Sequence, residues 1–194
     1  MKLIDQIVET LNDKLLSGQL DESVFHAGAI YGLSYLSTAT DGDIQRPYIW
    51  RQDRSMGIEV NDIYPFSIYH RCNSMNFSTA INSYGDGNGM VQITADMIAV
   101  VYADRYKIGY TQEDLIMKIA AGLSQTLTSA DLGTSGLQKV KASVVRANNN
   151  SMQVFSGEYG NEANCPFQLS SVYFGIQYQL EIVAHSDCLG CANC

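Results

Sequence analysis

The strictest constraint on the fold is the alternation between Val172 and Ile182. Val172, Phe174, Ile176, Tyr178, Leu180 and Ile182 are apolar, and Tyr173, Gly175, Gln177, Gln179 and Glu181 interleave with them. Successive side chains of a strand point to opposite faces. One face of this strand is therefore core, and the other is polar and either open or in contact with a partner. A sheet with one solvated face is antiparallel far more often than doubly wound. Met90 to Tyr106 supplies a second long strand. It opens with the same alternation, Val91, Ile93 and Ala95 against Gln92, Thr94 and Asp96. It then turns apolar on both faces through Ile98 to Tyr102, as a central or helix-covered strand does. Phe66 to Cys72 reads as another strand, with Phe66, Ile68, His70 and Cys72 on one face. Val140 to Ala147 is a fourth, and Ile30 to Tyr35 is a candidate. Turn signals stand at Thr40 to Asp43 and, most strongly, at Tyr84 to Gly89.

Two segments carry the helical period instead. Leu3, Ile7, Leu11 and Leu15 recur every four residues beside Ile4 and Val8, with Lys2, Asp5, Glu9 and Asp13 largely opposite. Ser17-Gly18 supplies the end, glycine being free to take the left-handed cap. Leu115, Ile119, Leu123 and Leu127 repeat at the same spacing, with Ile116 and Ala120 alongside. Thr111 is placed to cap this helix, and Glu113 and Asp114 fall in the first turn, where the dipole favours them. Gly122, in mid-helix, implies close packing on the sheet. Leu132 to Gly136 ends the unit, and the stretches 148–150 and 157–166 read as loops. The fold class is thus α+β, a mainly antiparallel sheet flanked by two amphipathic helices. Between Gln19 and Pro65 the chain makes a long excursion with little periodicity. Residues 1–187 read as one domain and 188–194 as a Cys-rich tail.

Composition narrows the function classes. A length of 194 residues suffices for one core and is short for two. Charged residues make up only 16%, which leaves neutral surface that is easily desolvated in a contact. The 12 Tyr point the same way, since each joins an apolar ring to a polar tip. A net charge of −8 without any basic run argues against general nucleic-acid binding and leaves only a local contact open. Met1-Lys-Leu-Ile-Asp5 does not resemble a signal peptide, and no apolar run reaches membrane-spanning length. The chain is therefore expected to fold in a cytoplasm, with no membrane partner. In that setting the sequons at Asn76 and Asn149 carry no weight, and structural disulfides are not the default for the 5 Cys.

Few residues point to chemistry. Cys188, Cys191 and Cys194, with His185, offer the ligand types of a tetrahedral zinc site. All lie within ten residues instead of stapling two distant segments, so a disulfide or intersubunit bridge and a plain tail stand as alternatives. An iron–sulfur cluster would need a fourth thiolate, which Cys165 would have to bring. Asp86 to Gly89 is a fragment of a calcium loop without its terminal Glu, and reads as a hairpin turn. His70 and Cys72 read as buried structural side chains and not as a catalytic pair. His26 is isolated. No nucleophile elbow, phosphate loop or paired acidic motif occurs, and no catalytic residue or resident cofactor is assigned. Arg46, Arg51 and Arg54 interleave with Tyr48 and Trp50, the residue types that dominate interface hot spots. They form either a loop folded over the core or a contact arm. With Tyr173, Gln177 and Gln179 of the last strand, they are the candidate interface residues.

The amphipathic helix Leu3 to Leu15, the antiparallel sheet, the second helix Leu115 to Leu127 and the late strand Val172 to Ile182 together resemble the tail-terminator and head–tail joining proteins of tailed bacteriophages. The Cys-rich end and the abundance of Tyr and Asn resemble neck and tail-ring proteins of crAss-like phages of gut bacteria. The resemblance implies a structural virion protein in a homo-oligomeric ring, six-fold or twelve-fold, between portal and tail. It implies portal, neck-ring or tail proteins as neighbours and a site in the virion neck or tail. DNA would pass through the lumen without sequence-specific binding, which a negative lumen favours. No catalytic residue is implied. A small metal-binding module using the terminal cysteines is the alternative.

Overall fold

A computed structural model describes residues 2–18, 30–38, 45–51, 54–58, 65–80, 90–133, 137–159 and 172–186. The chain begins with helix α1 (Lys2–Gly18), continues through strands β1 (Ile30–Thr38), β2 (Gln45–Arg51), β3 (Arg54–Gly57), β4 (Phe66–Ala80) and β5 (Met90–Asp104), and reaches helix α2 (Gln112–Leu123). Strand β6 (Thr126–Thr128), helix α3 (Ser129–Leu132), strand β7 (Leu137–Asn148), helix α4 (Ser151–Tyr159) and strand β8 (Tyr173–Ser186) follow. The strands make one sheet in the order β3-β2-β1-β4-β5-β8-β7-β6. Every neighbouring pair is antiparallel except β1 and β4, which run parallel. The α+β class and the mainly antiparallel sheet are as the sequence indicates.

The inner face of the sheet is the main core. Ile68 on β4, Met97, Ala99 and Val101 on β5, Ile176, Tyr178 and Leu180 on β8 and Val140 on β7 are buried there. Ile4, Ile7, Val8, Leu11 and Leu15 of α1 and Leu115, Ile119 and Leu123 of α2 cover them. Each such side chain contributes roughly 1.5–3 kcal/mol on burial, so these two stripes anchor both helices. The start of α2 follows the expected chemistry. Thr111 accepts from the Asp114 amide at 3.1 Å, and Glu113 and Asp114 occupy the first turn. Beyond it, Thr128 and Asp131 form a reciprocal capping box for α3, and Gly133 ends that helix at φ 59°. Lys14 reaches Asp131 at 2.8 Å and ties α1 to α3. That contact, with the bonds from Thr128, holds the Asp131 carboxyl well below the usual range.

Several expectations are corrected. There are four helices among the described residues, not two. The second helix stops at Leu123, and Leu127 is buried from strand β6. Leu127 therefore kept the four-residue apolar spacing without being helical. Gly122 meets α1 and not the sheet: a Cβ there would lie 2.2 Å from Leu15 Cδ1. Strand β5 ends at Asp104, so Tyr106 lies outside it and is 82% exposed. The excursion contains β1, β2 and β3, which extend the sheet at its β4 edge. Its lack of period has a physical source: β2 includes Pro47, and its packing partners come from α4, far along the chain. Residues 157–159, read as loop, close helix α4. The turn signals at 40–43 and 84–89 and the loop at 160–166 lie outside the described residues.

Candidate functional site

The outer face of the sheet is divided in two. At one end α4 packs over Tyr69, Val100, Tyr102 and Tyr173, sealing a second, aromatic core with Val154, Phe155 and Tyr159. Gly175 permits the approach, since a Cβ there would meet Phe155 and the Ser151 backbone at 3.2 Å. Its amide donates to Ser151 Oγ at 3.0 Å. The rings of Tyr102 and Phe155 stack 5.1 Å apart. Within this core Glu158 is 1% exposed and Arg71 donates to it, and Tyr69 donates to the same carboxylate at 2.6 Å. The Tyr69 and Tyr102 hydroxyls meet at 2.7 Å. Burial pushes both phenols well above their ordinary range, and the Glu158 charge adds to the effect. The network locks α4 to β4 and β5 from below.

No described element covers the other end of the outer face. Asn73 of β4, Ile98 of β5, Gln177 and Gln179 of β8, Arg146 and Asn148 of β7, and Asn149 and Gln153 at the α4 junction line a depression of about 590 Å³. Register explains the grouping, because Arg146 stands opposite Gln179 and Asn148 opposite Gln177. Asn148 donates to Gln153 at 3.2 Å, and Gln179 to Asp96 at 3.3 Å. Carboxamides both donate and accept, so this lining can pair with another chain's backbone or amides without desolvating many charges. Among the described residues of the lining, Arg146 is the only ionised side chain.

On the inner face the imidazole of His70 is buried, 0% exposed. Its Nε2 lies 2.8 Å from Asn12 Oδ1 of α1. Asn12 uses its Nδ2 to donate to the Tyr31 carbonyl at 3.4 Å, so the imidazole proton is assigned to Nε2. Nδ1 has no partner among the described residues. Ser34 donates to the His70 carbonyl at 2.9 Å. Burial lowers the imidazole pKa to about 4, so the ring is neutral at pH 7. Cys72 is half-buried on the same strand, and burial raises its thiol pKa. Sealed beneath α1, His70 has the structural role expected of it.

The sequence candidates separate. Gln177 and Gln179 lie together in the open depression. Tyr173 is corrected: it is 5% exposed and covered by α4 of its own chain, whose 3.6-residue period is too short and weak to announce itself in the sequence. Tyr48 is half-buried on β2 and stacks on Tyr35 at 6.0 Å. Arg46, Trp50, Arg51 and Arg54 belong to the β2–β3 pair at the sheet edge, with Arg51 opposite Arg54, and their side chains lie outside the described set. The same holds for the His185 side chain, and Cys188, Cys191 and Cys194 lie wholly outside the described residues. Among the described residues no group of three or more His, Cys, Asp or Glu is placed to hold a metal ion. No described helix is long and apolar enough to cross a membrane. Sequence reading missed Asn73, Arg146, Asn148 and Gln153. The run of asparagines at 148–150 was a signal, but only strand register joins it to Gln177 and Gln179.

Comparison with known proteins adds no identity: no family model matches the chain, and no curated protein matches it.

Proposed function

We propose that this chain is a structural subunit that assembles with copies of itself into a closed ring in the neck or tail of a tailed bacteriophage, around the channel that DNA traverses. The observation that carries the reading is the half of the outer sheet face that no described element covers, rich in carboxamides and sparsely charged, where Gln177 and Gln179 stand. A face of that composition suits a contact that excludes water without burying many charges. The sheet edges argue for assembly through faces. β3 has four residues and β6 three, and short edge strands disfavour strand-to-strand association. The chain's net charge of −8 suits a lumen along which DNA slides without sticking. The subunit's work in this reading is mechanical: α1, α2 and α4 hold the sheet rigid, and the open face meets a neighbour.

The test is the mass of the purified protein across a concentration series, by light scattering after size exclusion. A discrete species of six or twelve subunits is the expected result. A dimer that persists unchanged at every concentration would overturn the ring. A strict monomer would restrict assembly to one templated by a portal or neighbouring ring.

A further inference from the structure

Self-assembly of a chain with net charge −8 poses an electrostatic problem, because acidic copies repel unless free cations of one meet carboxylates of the next. Most described cations are engaged within the chain. Lys14 pairs with Asp131, Arg71 with Glu158 and Lys107 with Asp104. Arg105 lies 4.0 Å over the Phe174 ring, and Lys118 lies 5.3 Å from the centre of Tyr110. Lys141 and Arg146 remain. Both are exposed on β7, and neither has an ion pair among the described residues. Their partners across β8, Val183 and Gln179, alternate with the core residues Ile182 and Leu180, so both cations project from the outer face.

The opposite side of the molecule carries the complement. The solvent side of α1 presents Asp5, Glu9 and Asp13 at four-residue intervals, while its reverse buries Ile4, Ile7, Val8, Leu11 and Leu15. None of the three carboxylates has an ion pair among the described residues, and the neighbouring Lys14 is spent on Asp131. Like charges four apart weaken a helix, so the stability of α1 does not explain the stripe. The spacings agree. Asp5 and Asp13 are about 12 Å apart along a helix rising 1.5 Å per residue. Lys141 and Arg146 are about 13 Å apart along a strand, allowing for the bulge between Val144 and Arg146.

We propose that the acidic stripe of α1 in one copy docks along the outer face of β7 in the next, bringing Asp5, Glu9 and Asp13 to Lys141 and Arg146. Among the described residues, Asp96 and Glu181 are carboxylates on the part of that face beside β7. Asp96 already accepts from Gln179, and Glu181, opposite Ser143 on β8, repels the stripe and so confines it to β7. The contact joins two different surfaces, which is the heterologous kind that propagates in one direction and closes into a ring. It rests on the ring reading and specifies which surfaces that ring uses. Exposed pairs contribute more to register and choice of partner than to affinity, so the amide-lined face beside β7 supplies the remaining contact.

A charge-swap experiment tests the contact. Wild type, a Lys141→Glu/Arg146→Glu variant and a Glu9→Lys/Asp13→Lys variant are compared by light scattering in low and high salt, with circular dichroism as the folding control. The wild type should form an oligomer that salt weakens. Each variant alone should need about tenfold or more higher concentration to assemble, and an equimolar mixture of the two should recover mixed oligomers. A wild-type oligomer that both variants reproduce unchanged would overturn this contact and leave the ring reading standing. Variants that each lose assembly but do not recover on mixing would also overturn it, since the charges would then act elsewhere. A wild type that stays monomeric in low salt would overturn the contact outright, and the ring reading would then depend on a template.

Discussion

Acidification should unload the fold through His70. The imidazole is sealed between α1 and the sheet, bonded among the described residues only to Asn12, and burial sets its folded pKa at about 4 against an ordinary 6.5. Between those values the unfolded chain binds a proton that the folded chain refuses. Stability therefore falls as pH drops through 6.5, and the loss is complete near pH 4. At 1.36 kcal/mol per pH unit, that gap corresponds to about 3 kcal/mol, a large share of the 5–15 kcal/mol typical of a domain. Carboxylates add an acid slope of their own, so the quantity to measure is the difference between wild type and His70→Gln. Glutamine can offer a neutral N–H to Asn12 in place of Nε2 and does not titrate. Urea unfolding at pH 7.5, 6, 5 and 4 gives both curves. The stability of wild type relative to the variant should decline by about 3 kcal/mol across the series, most of it below pH 6.5. A difference that stays constant within about 0.5 kcal/mol would refute the reasoning, because His70 would then titrate alike in both states.

Three other perturbations bear on the outer core. Arg71→Leu leaves the buried Glu158 carboxylate with Tyr69 as its one partner among the described residues, so urea unfolding should show a loss of about 3 kcal/mol, much of which Arg71→Leu/Glu158→Leu should recover. Gly175→Val places side-chain atoms where Phe155 and Ser151 already sit at 3.2 Å; amide exchange in α4 should accelerate while exchange in α2 does not change. Tyr69 and Tyr102 should stay protonated in the folded protein well above pH 10, and absorbance titration should show their ionisation only with unfolding. Because the unfolded phenols release protons that the folded ones keep, stability falls as pH rises past 10.

What was legible in the sequence was what strict periodicity wrote. The face of β8 from Phe174 to Ile182, the two-faced burial of β5 and the Thr111 cap all stand where their patterns put them. What failed was local pattern overruled by distant partners. Leu127 kept helical spacing but entered a strand, because Thr126 to Thr128 pair with Lys139 to Lys141. β2 lacks alternation because one of its covers is α4, more than a hundred residues later. Helix α4 has a weak apolar stripe of its own and is fixed by Gly175 and the Glu158 network, neither visible without the sheet. The candidate site was half legible for the same reason. Gln177 and Gln179 lie on a readable strand face, whereas Arg146, Asn148 and Asn73 join them only through register across the bulges of β7 and β4.

The central claim is that copies of this chain close into a ring, and class averages of the purified assembly by electron microscopy test it most directly. The account predicts particles with six-fold or twelve-fold rotational symmetry around an open channel. Two-fold particles with no channel, their subunits joined through identical surfaces, would contradict it.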